Sequence, residues 1–131
     1  MTFDQAPEMV ANEVSMIAVA RLAAGAALES PDVVGLHSGA VGEIATYGDG
    51  TRVRGIRVHD RPEPRIRLFL VVRFGAHFRE LAEEVRDRVR EALRTEAPAF
   101  AWGTVDLRVA DVRTDDEGSS DDRLEEPVRW S

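Results

Sequence analysis

The chain has 131 residues and no cysteine. This length is the size of one ordinary domain. The absence of cysteine excludes disulfides, thiolate metal sites and a cysteine nucleophile. The formal net charge of -7 is unevenly placed, because residues 114–131 hold seven acidic side chains against two arginines. The first residues do not resemble a signal peptide, and no apolar run approaches the roughly 20 residues of a membrane span. We therefore expect a cytoplasmic protein that does not insert directly into a membrane.

The first predicted element is a long helix. Residues 1–6 are expected to be a flexible N-terminus and residues 7–113 a single domain. Within it, residues 7–29 combine abundant alanine with apolar residues at helical spacing. Pro31 ends this helix, and residues 33–37 follow as a short strand. The apolar face of the helix is formed by Val10, Val14, Ile17, Ala24 and Leu28.

Two strands are predicted after a glycine-rich loop. The loop spans residues 38–50 and contains the turn signal Gly48-Asp49-Gly50. Residues 51–60 and 64–74 have the composition of strands, and the polar, proline-rich break between them predicts a hairpin. In the second strand, alternation divides the side chains into two faces. One carries Ile66, Leu68, Leu70, Val72 and Phe74, and the other carries Arg65, Arg67, Phe69, Val71 and Arg73.

The second half of the domain begins with a strongly amphipathic helix at residues 77–95. A last strand is predicted at residues 103–112, where apolar and charged residues alternate. From residue 114 onward the composition is acidic and almost without apolar residues, which predicts a disordered tail. The sequence therefore predicts an α+β fold in the order α-β-β-β-α-β, with two helices, an antiparallel sheet of three to four strands and an acidic tail at residues 114–131. The apolar stripe of the second helix is formed by Phe78, Leu81, Ala82, Val85, Val89, Ala92 and Leu93.

Four segments, in this order, resemble the alkaline-shock or envelope stress response family of bacterial proteins. The segment AALESPDVVGL at residues 26–36 is similar to the end of that family's first helix, and IRLFLVVRFG at residues 66–75 to its central strand. LAEEV with VREAL, within residues 81–93, resembles the second helix. VDLRVADV at residues 105–112 resembles the final strand. The match covers roughly residues 9–113, and the ordered set carries the resemblance more than any one segment.

The resemblance implies a non-enzymatic cytoplasmic protein linked to alkaline or cell-envelope stress. Such proteins associate with themselves and gather at the inner face of the cell membrane through a small membrane-anchored protein partner. The family contributes no catalytic residues. In one respect this chain departs from the pattern, because the loop at residues 38–54 is shorter and less basic than in many members.

Arginines on the predicted hairpin form the main candidate interaction surface. Arg54, Arg65, Arg67 and Arg73 belong to a larger set that would share its outer face, either as an ordinary solvated surface or as a docking surface for an acidic group. The acidic tail is one candidate ligand, and we expect it to compete with other anions for this surface. Nucleic acid is the alternative partner, but it is not favoured because the domain is not net basic.

Three apolar side chains are further candidates for interaction. Phe69 and Val71 would form an exposed apolar patch on the arginine-bearing face, or part of the core if the first helix packs there. Trp130 lies near the end of the acidic tail, where it is either a short recognition motif or an incidental tail residue.

The sequence shows no pattern that indicates catalysis or a cofactor. His37, His59 and His77 have no metal-binding spacing, and no serine lies in a nucleophile-elbow pattern. Gly39-Ala40-Val41-Gly42 has the spacing of an RNA-binding glycine loop but lacks the helical and basic context that such a loop needs. We therefore assign no catalytic, cofactor-binding or metal-ligating residue. The first hypothesis is a self-associating scaffold, and the alternative is a small nucleic-acid-binding module that uses the arginine-rich face.

Overall fold

A computed structural model describes residues 15–114 and the backbone of residues 125–127. Its mixed helices and strands confirm the α+β class. The helices are α1 (Met16–Leu28), α2 (Phe78–Leu93) and the short α3 (Pro98–Ala101). The strands are β1 (Val33–Leu36), β2 (Ala45–Gly48), β3 (Thr51–Arg54), β4 (Ile56–His59), β5 (Arg65–Arg73), β6 (Thr104–Arg113) and β7 (Glu125–Pro127). The predicted flexible N-terminus and the first part of the predicted helix lie outside the described residues.

The central strand of the larger sheet is β5, and it is paired along both edges. β6 runs beside β5 over its full length, from Arg65 to Arg73. The other edge is shared by two shorter strands that lie end to end. β4 pairs with residues 65–68 and β1 with residues 70–72, both antiparallel to β5.

The prediction of an antiparallel sheet holds for β1 and β4 but is wrong for β6, which is parallel to β5. Residues 74–103 connect the two strands and contain α2 and α3. Parallel neighbours require a crossover connection of this kind, because the chain must return to the end of the sheet at which the first strand began. The predicted strand–helix–strand order was therefore the signal for a parallel pair.

A second, smaller sheet is formed within a segment that was predicted to be partly loop. β2 lies inside the predicted loop and forms a hairpin with β3. The two-residue turn consists of Asp49 and Gly50, whose φ angles are 52° and 71°. Two positive φ angles are the backbone conformation of the type I′ turn, for which Asp-Gly is a favoured sequence. The turn signal in the sequence was thus correct, but it joins two strands.

The acidic tail also differs from the prediction at three residues. Residues 125–127 form β7, which pairs antiparallel with β3 and places Glu126 opposite Arg52. A composition rule does not anticipate this strand, because the pairing uses backbone groups at an edge of β3. The rest of the acidic segment, residues 115–124 and 128–131, lies outside the described part of the chain.

Both long helices pack on the same face of the larger sheet and form one core with it. Ser15 caps the start of α1, and its Oγ accepts a hydrogen bond from the Ala18 N–H at 3.0 Å. α1 contacts the sheet and α2 on several sides, because most of its buried side chains are alanines that permit close approach. None of the described helices has both the length and the apolar composition needed to cross a membrane. The predicted stripe of α2 is buried at Leu81, Ala82, Val85, Val89 and Leu93.

Gly55 lies at the corner where the chain passes from the smaller sheet into the larger one. Its φ angle is +79°, and a Cβ atom would lie 2.5 Å from Leu36 Cβ and 3.0 Å from the backbone nitrogen of His37. Its N–H donates to Ile44 O at 2.8 Å, and its carbonyl accepts from Phe69 N–H at 2.9 Å. The predicted single strand is therefore divided into β3 and β4 at a position that favours glycine for conformation and for space.

Gly55→Ala tests this corner. We expect the free energy of unfolding to fall by about 2–5 kcal/mol, because left-handed backbone strain and a steric clash add together. Gly50→Ala is the control, since Gly50 also has a positive φ but no atom would lie within 4 Å of its added Cβ. The control should lose only about 1–2 kcal/mol in urea unfolding. Equal losses in the two variants would show that the close approach at Gly55 is unimportant.

Candidate interaction surface

The face of the larger sheet opposite the helices carries the predicted arginines. Ile66, Leu68, Leu70 and Val72, which were predicted to share one face of the strand, point into the core. The alternate residues of β5 point to the other face, together with their partners on β4 and β6. We call this surface the arginine face. Its members are Arg57, His59, Arg65, Arg67, Phe69, Val71, Arg73, Thr104, Asp106, Arg108, Asp111 and Arg113.

Asp106 contacts two arginines of the arginine face. It lies opposite Arg67 in the parallel register, and its Oδ2 accepts from Arg67 Nε at 2.9 Å. The same oxygen lies 3.5 Å from Arg108 Nη2. One carboxylate therefore offsets the charge of two guanidinium groups. Because these side chains are about one third to one half exposed, the contacts hold the arginines in place more than they stabilise the fold.

Other arginines on this face are held by backbone carbonyls. Arg73 Nη2 donates to Pro31 O at 3.0 Å, and its Nε lies 3.8 Å from an oxygen of Asp32. Arg57 Nη2 donates to Glu43 O at 3.4 Å. These contacts join the segment after α1 and the segment before β2 to the sheet. Much of the predicted positive surface is therefore engaged in contacts within the protein.

Phe69 and Val71 differ in exposure. α1 packs on the opposite face of the sheet, so these side chains are not covered by the first helix. Val71 is nevertheless buried, at 3% exposure, and it lies outside the main core cluster. Phe69 is half-buried, with Arg108 as its partner on β6. The apolar area on this face is thus smaller than a row of two exposed side chains would give.

Arg54 and Trp130 are separated from the other candidate residues. Arg54 is the last residue of β3 and belongs to the smaller sheet, where it pairs with Ala45. Trp130 lies outside the described residues. The structure therefore brings together Arg65, Arg67, Phe69, Val71 and Arg73.

Several exposed large apolar side chains at the two ends of the larger sheet were not predicted as interaction residues. Trp102, which caps α3, is 83% exposed at the end of the sheet where β5 and β6 begin. Phe74 is 72% exposed at the other end, where its N–H donates to Arg113 O at 2.7 Å. Phe78, Val109 and Val112 are also exposed, and they lie in α2 and β6 toward that same end.

A difference in length explains why Phe74, Val109 and Val112 are exposed although they belong to the apolar face of the sheet. α2 has 16 residues, which is about 24 Å of helix. β6 has 10 residues, which is about 33 Å of strand. The helix is therefore too short to cover the whole strand. The exposure of these side chains could have been predicted by comparing the lengths of the predicted helix and strand, but not from the alternation of apolar residues alone.

Asp111 lies beside this exposed end of β6. Its Oδ1 accepts from the Val112 N–H at 2.8 Å, and its Oδ2 accepts from Arg113 Nε at 3.3 Å. The hydrogen bond from Val112 and the one from Arg113 hold the pKa of this carboxyl below its usual value, because both favour the ionised form. Asp111 is therefore a charged group on an exposed strand.

One surface groove borders the arginine face at Arg57 and His59. It has a volume of about 410 Å³ and is lined by residues that include Glu43, Tyr47 and His59. Its buried hydroxyl group, on Thr46, already donates to Ile56 O at 2.7 Å. Within the part of the chain that the structure describes, no group of three histidine or acidic side chains is placed to hold a metal ion.

Comparisons of the chain with protein-family models, with curated proteins and with solved structures gave no match. The resemblance to the envelope stress response family therefore rests on the four sequence segments described above.

Deletion of residues 125–131 tests the position of the acidic tail. Because β7 pairs with Thr51, Arg52 and Val53, its removal should leave an edge of β3 unpaired. We expect faster hydrogen exchange for backbone amides of β3 and unchanged exchange in β5, measured by NMR. Deletion of residues 128–131 alone, which spares β7, is the matched control. Unchanged exchange throughout β3 in the longer deletion would contradict this pairing.

Proposed function

We propose that this protein is a non-enzymatic, self-associating scaffold of the bacterial envelope stress response type. It acts in the cytoplasm and is brought to the inner face of the cell membrane by a small membrane-anchored protein partner. The observation that carries the proposal is the exposed apolar end of the larger sheet, with Phe74, Val109 and Val112 at 40–72% exposure. Groups of exposed apolar side chains are typical of surfaces that bind other proteins.

The order of elements also supports this proposal. The four segments that resemble the family correspond to the end of α1 with β1, to β5, to α2 and to β6. These elements supply three of the four strands of the larger sheet and cover one of its faces. The resemblance therefore extends over the structural centre of the domain.

The contacts of the arginine face favour the scaffold over the nucleic-acid-binding alternative. Binding to nucleic acid draws most of its affinity from arginines and lysines that are available to phosphates. Asp106 is in contact with both Arg67 and Arg108, and Asp32 lies beside Arg73. An anionic polymer would have to compete with these carboxylates.

Sedimentation equilibrium of the full chain tests self-association. The expected result is an average mass that rises above the monomer as the concentration approaches about 100 µM, a range in which weak interfaces are populated. A monomer mass over the whole concentration range would contradict the scaffold proposal.

Vesicle binding tests the indirect nature of the proposed membrane recruitment. The purified protein should bind weakly to vesicles that contain anionic lipid, and salt should screen this binding because it would depend on exposed arginines. Vesicles of neutral phosphatidylcholine are the control and should bind no protein. Tight, salt-resistant binding to the neutral vesicles would show that the protein needs no anchored partner.

A further inference from the structure

β6 is an edge strand whose second side is not paired with any strand among the described residues. It is ten residues long, and an edge of this length offers a row of backbone donors and acceptors to another chain. One part of the edge is already covered, because Arg86 Nε donates to Val105 O at 3.1 Å. The part that follows, residues 107–112, we call the open edge.

The directions of the backbone groups define what the open edge can pair with. Thr104 N–H donates to Pro64 O, and Arg113 O accepts from Phe74 N–H, so both residues point their backbone groups toward β5. These groups alternate in direction along a strand. Ala110 is an extra residue, because Leu70 pairs with Val109 and the next residue of β5 pairs with Asp111. Counting forward from Thr104, Leu107 points its backbone groups away from β5. Counting back from Arg113, Val112 does so as well.

The charges on β6 are self-complementary in one antiparallel register. If Leu107 of one copy lies opposite Val112 of another, then Arg108 lies opposite Asp111 of the other copy and Asp106 lies opposite Arg113. Every such pair places side chains on the same face of the sheet, because Ala110 shifts the alternation at the centre. A shift of two residues in either direction brings Asp106 opposite Asp111 or Arg108 opposite Arg113. Like charges in directly opposite positions are destabilising.

We propose that two copies of this chain join their β6 strands, antiparallel and around a twofold axis between Val109 and Ala110, to form one continuous sheet. This inference rests on the proposed self-association and names its surface. The exposed side chains of Val109 and Val112 lie on the helix-bearing face, so the two copies bring their uncovered apolar ends together. Self-association then uses the edge of the sheet and leaves Phe69 and Val71 outside the interface.

Association exchanges the contacts of Asp111. In the single chain this carboxylate accepts from Val112 N–H and from Arg113. In the pair, Val112 N–H donates to Leu107 O of the second copy, and Asp111 turns to Arg108 of the second copy. The Val112 N–H at the open edge is therefore hydrogen-bonded to Asp111 before association and to the second copy after it. A short interface of this kind gives a weak and reversible dimer.

Charge exchange across the pair tests the proposal. Arg108→Asp and Asp111→Arg each bring like charges into opposition at two symmetric positions, so each variant should dimerise at least about tenfold more weakly. The double variant restores opposite charges and should recover to within about threefold of the original chain. Arg61→Asp makes the same change of charge in an exposed loop and is the matched control. Thermal unfolding checks that each variant is folded.

Disulfide formation gives a second measurement that does not depend on charge. In the proposed register Arg108 and Asp111 of the second copy form a non-hydrogen-bonded pair, with Cα atoms about 4.5 Å apart. This distance suits a disulfide. Because the chain has no cysteine, a mixture of Arg108→Cys and Asp111→Cys proteins should form mixed disulfide dimers on mild oxidation. Either variant alone should not, since like positions are about 10 Å apart.

The outcomes separate this inference from the proposed function. Loss in both single variants, recovery in the double variant and mixed disulfides would support pairing through β6. Association that none of these substitutions changes, without mixed disulfides, would overturn the β6 pairing and leave the scaffold proposal standing. A monomer at all concentrations would overturn both.

Discussion

The backbone of Phe69 joins the central strand β5 to the ends of two neighbouring strands, and the arrangement of the larger sheet depends on this junction. Its N–H donates to Gly55 O and its carbonyl accepts from His37 N–H, both at 2.9 Å. These two bonds bring the end of β1 and the start of β4 to the same edge of β5. Gly55 in turn donates to Ile44, which holds the smaller sheet. With one edge of β5 occupied in this way, β6 takes the other edge, and the last strand of the larger sheet is left with an open side.

Much of the fold could be predicted from the sequence because periodicity reports burial. Alternation along β5 placed Leu68 and Leu70 on one face, the stripe of α2 contained Val85 and Val89, and all four are fully buried. Pairing between strands that are far apart in the sequence was harder to predict, because it depends on which strand edges meet in the folded chain. The parallel direction of β6, the division at Gly55 and the pairing of β7 with β3 all follow from backbone bonds between segments far apart in the sequence.

The candidate surface could be predicted only in part. Alternation correctly gathered Arg65, Arg67 and Arg73 on one face, but it did not show that Asp106 and Asp32 lie beside them. Those acidic partners come from other strands and loops. Exposure of Phe74 and Val112 was missed because it results from a helix that is shorter than the strand beneath it. The apolar end of the larger sheet is therefore left uncovered by the helix that packs on it.

Amide exchange in β6, measured at low and at high protein concentration, tests the central claim most directly. The amides of Leu107 and Val112 point to the open edge, whereas those of Arg108 and Arg113 point to β5. If β6 pairs with a second copy, exchange at Leu107 and Val112 slows as the protein associates, and exchange at Arg108 and Arg113 stays the same. Equal exchange rates for Leu107 and Val112 in the monomer and in the associated protein would contradict the account.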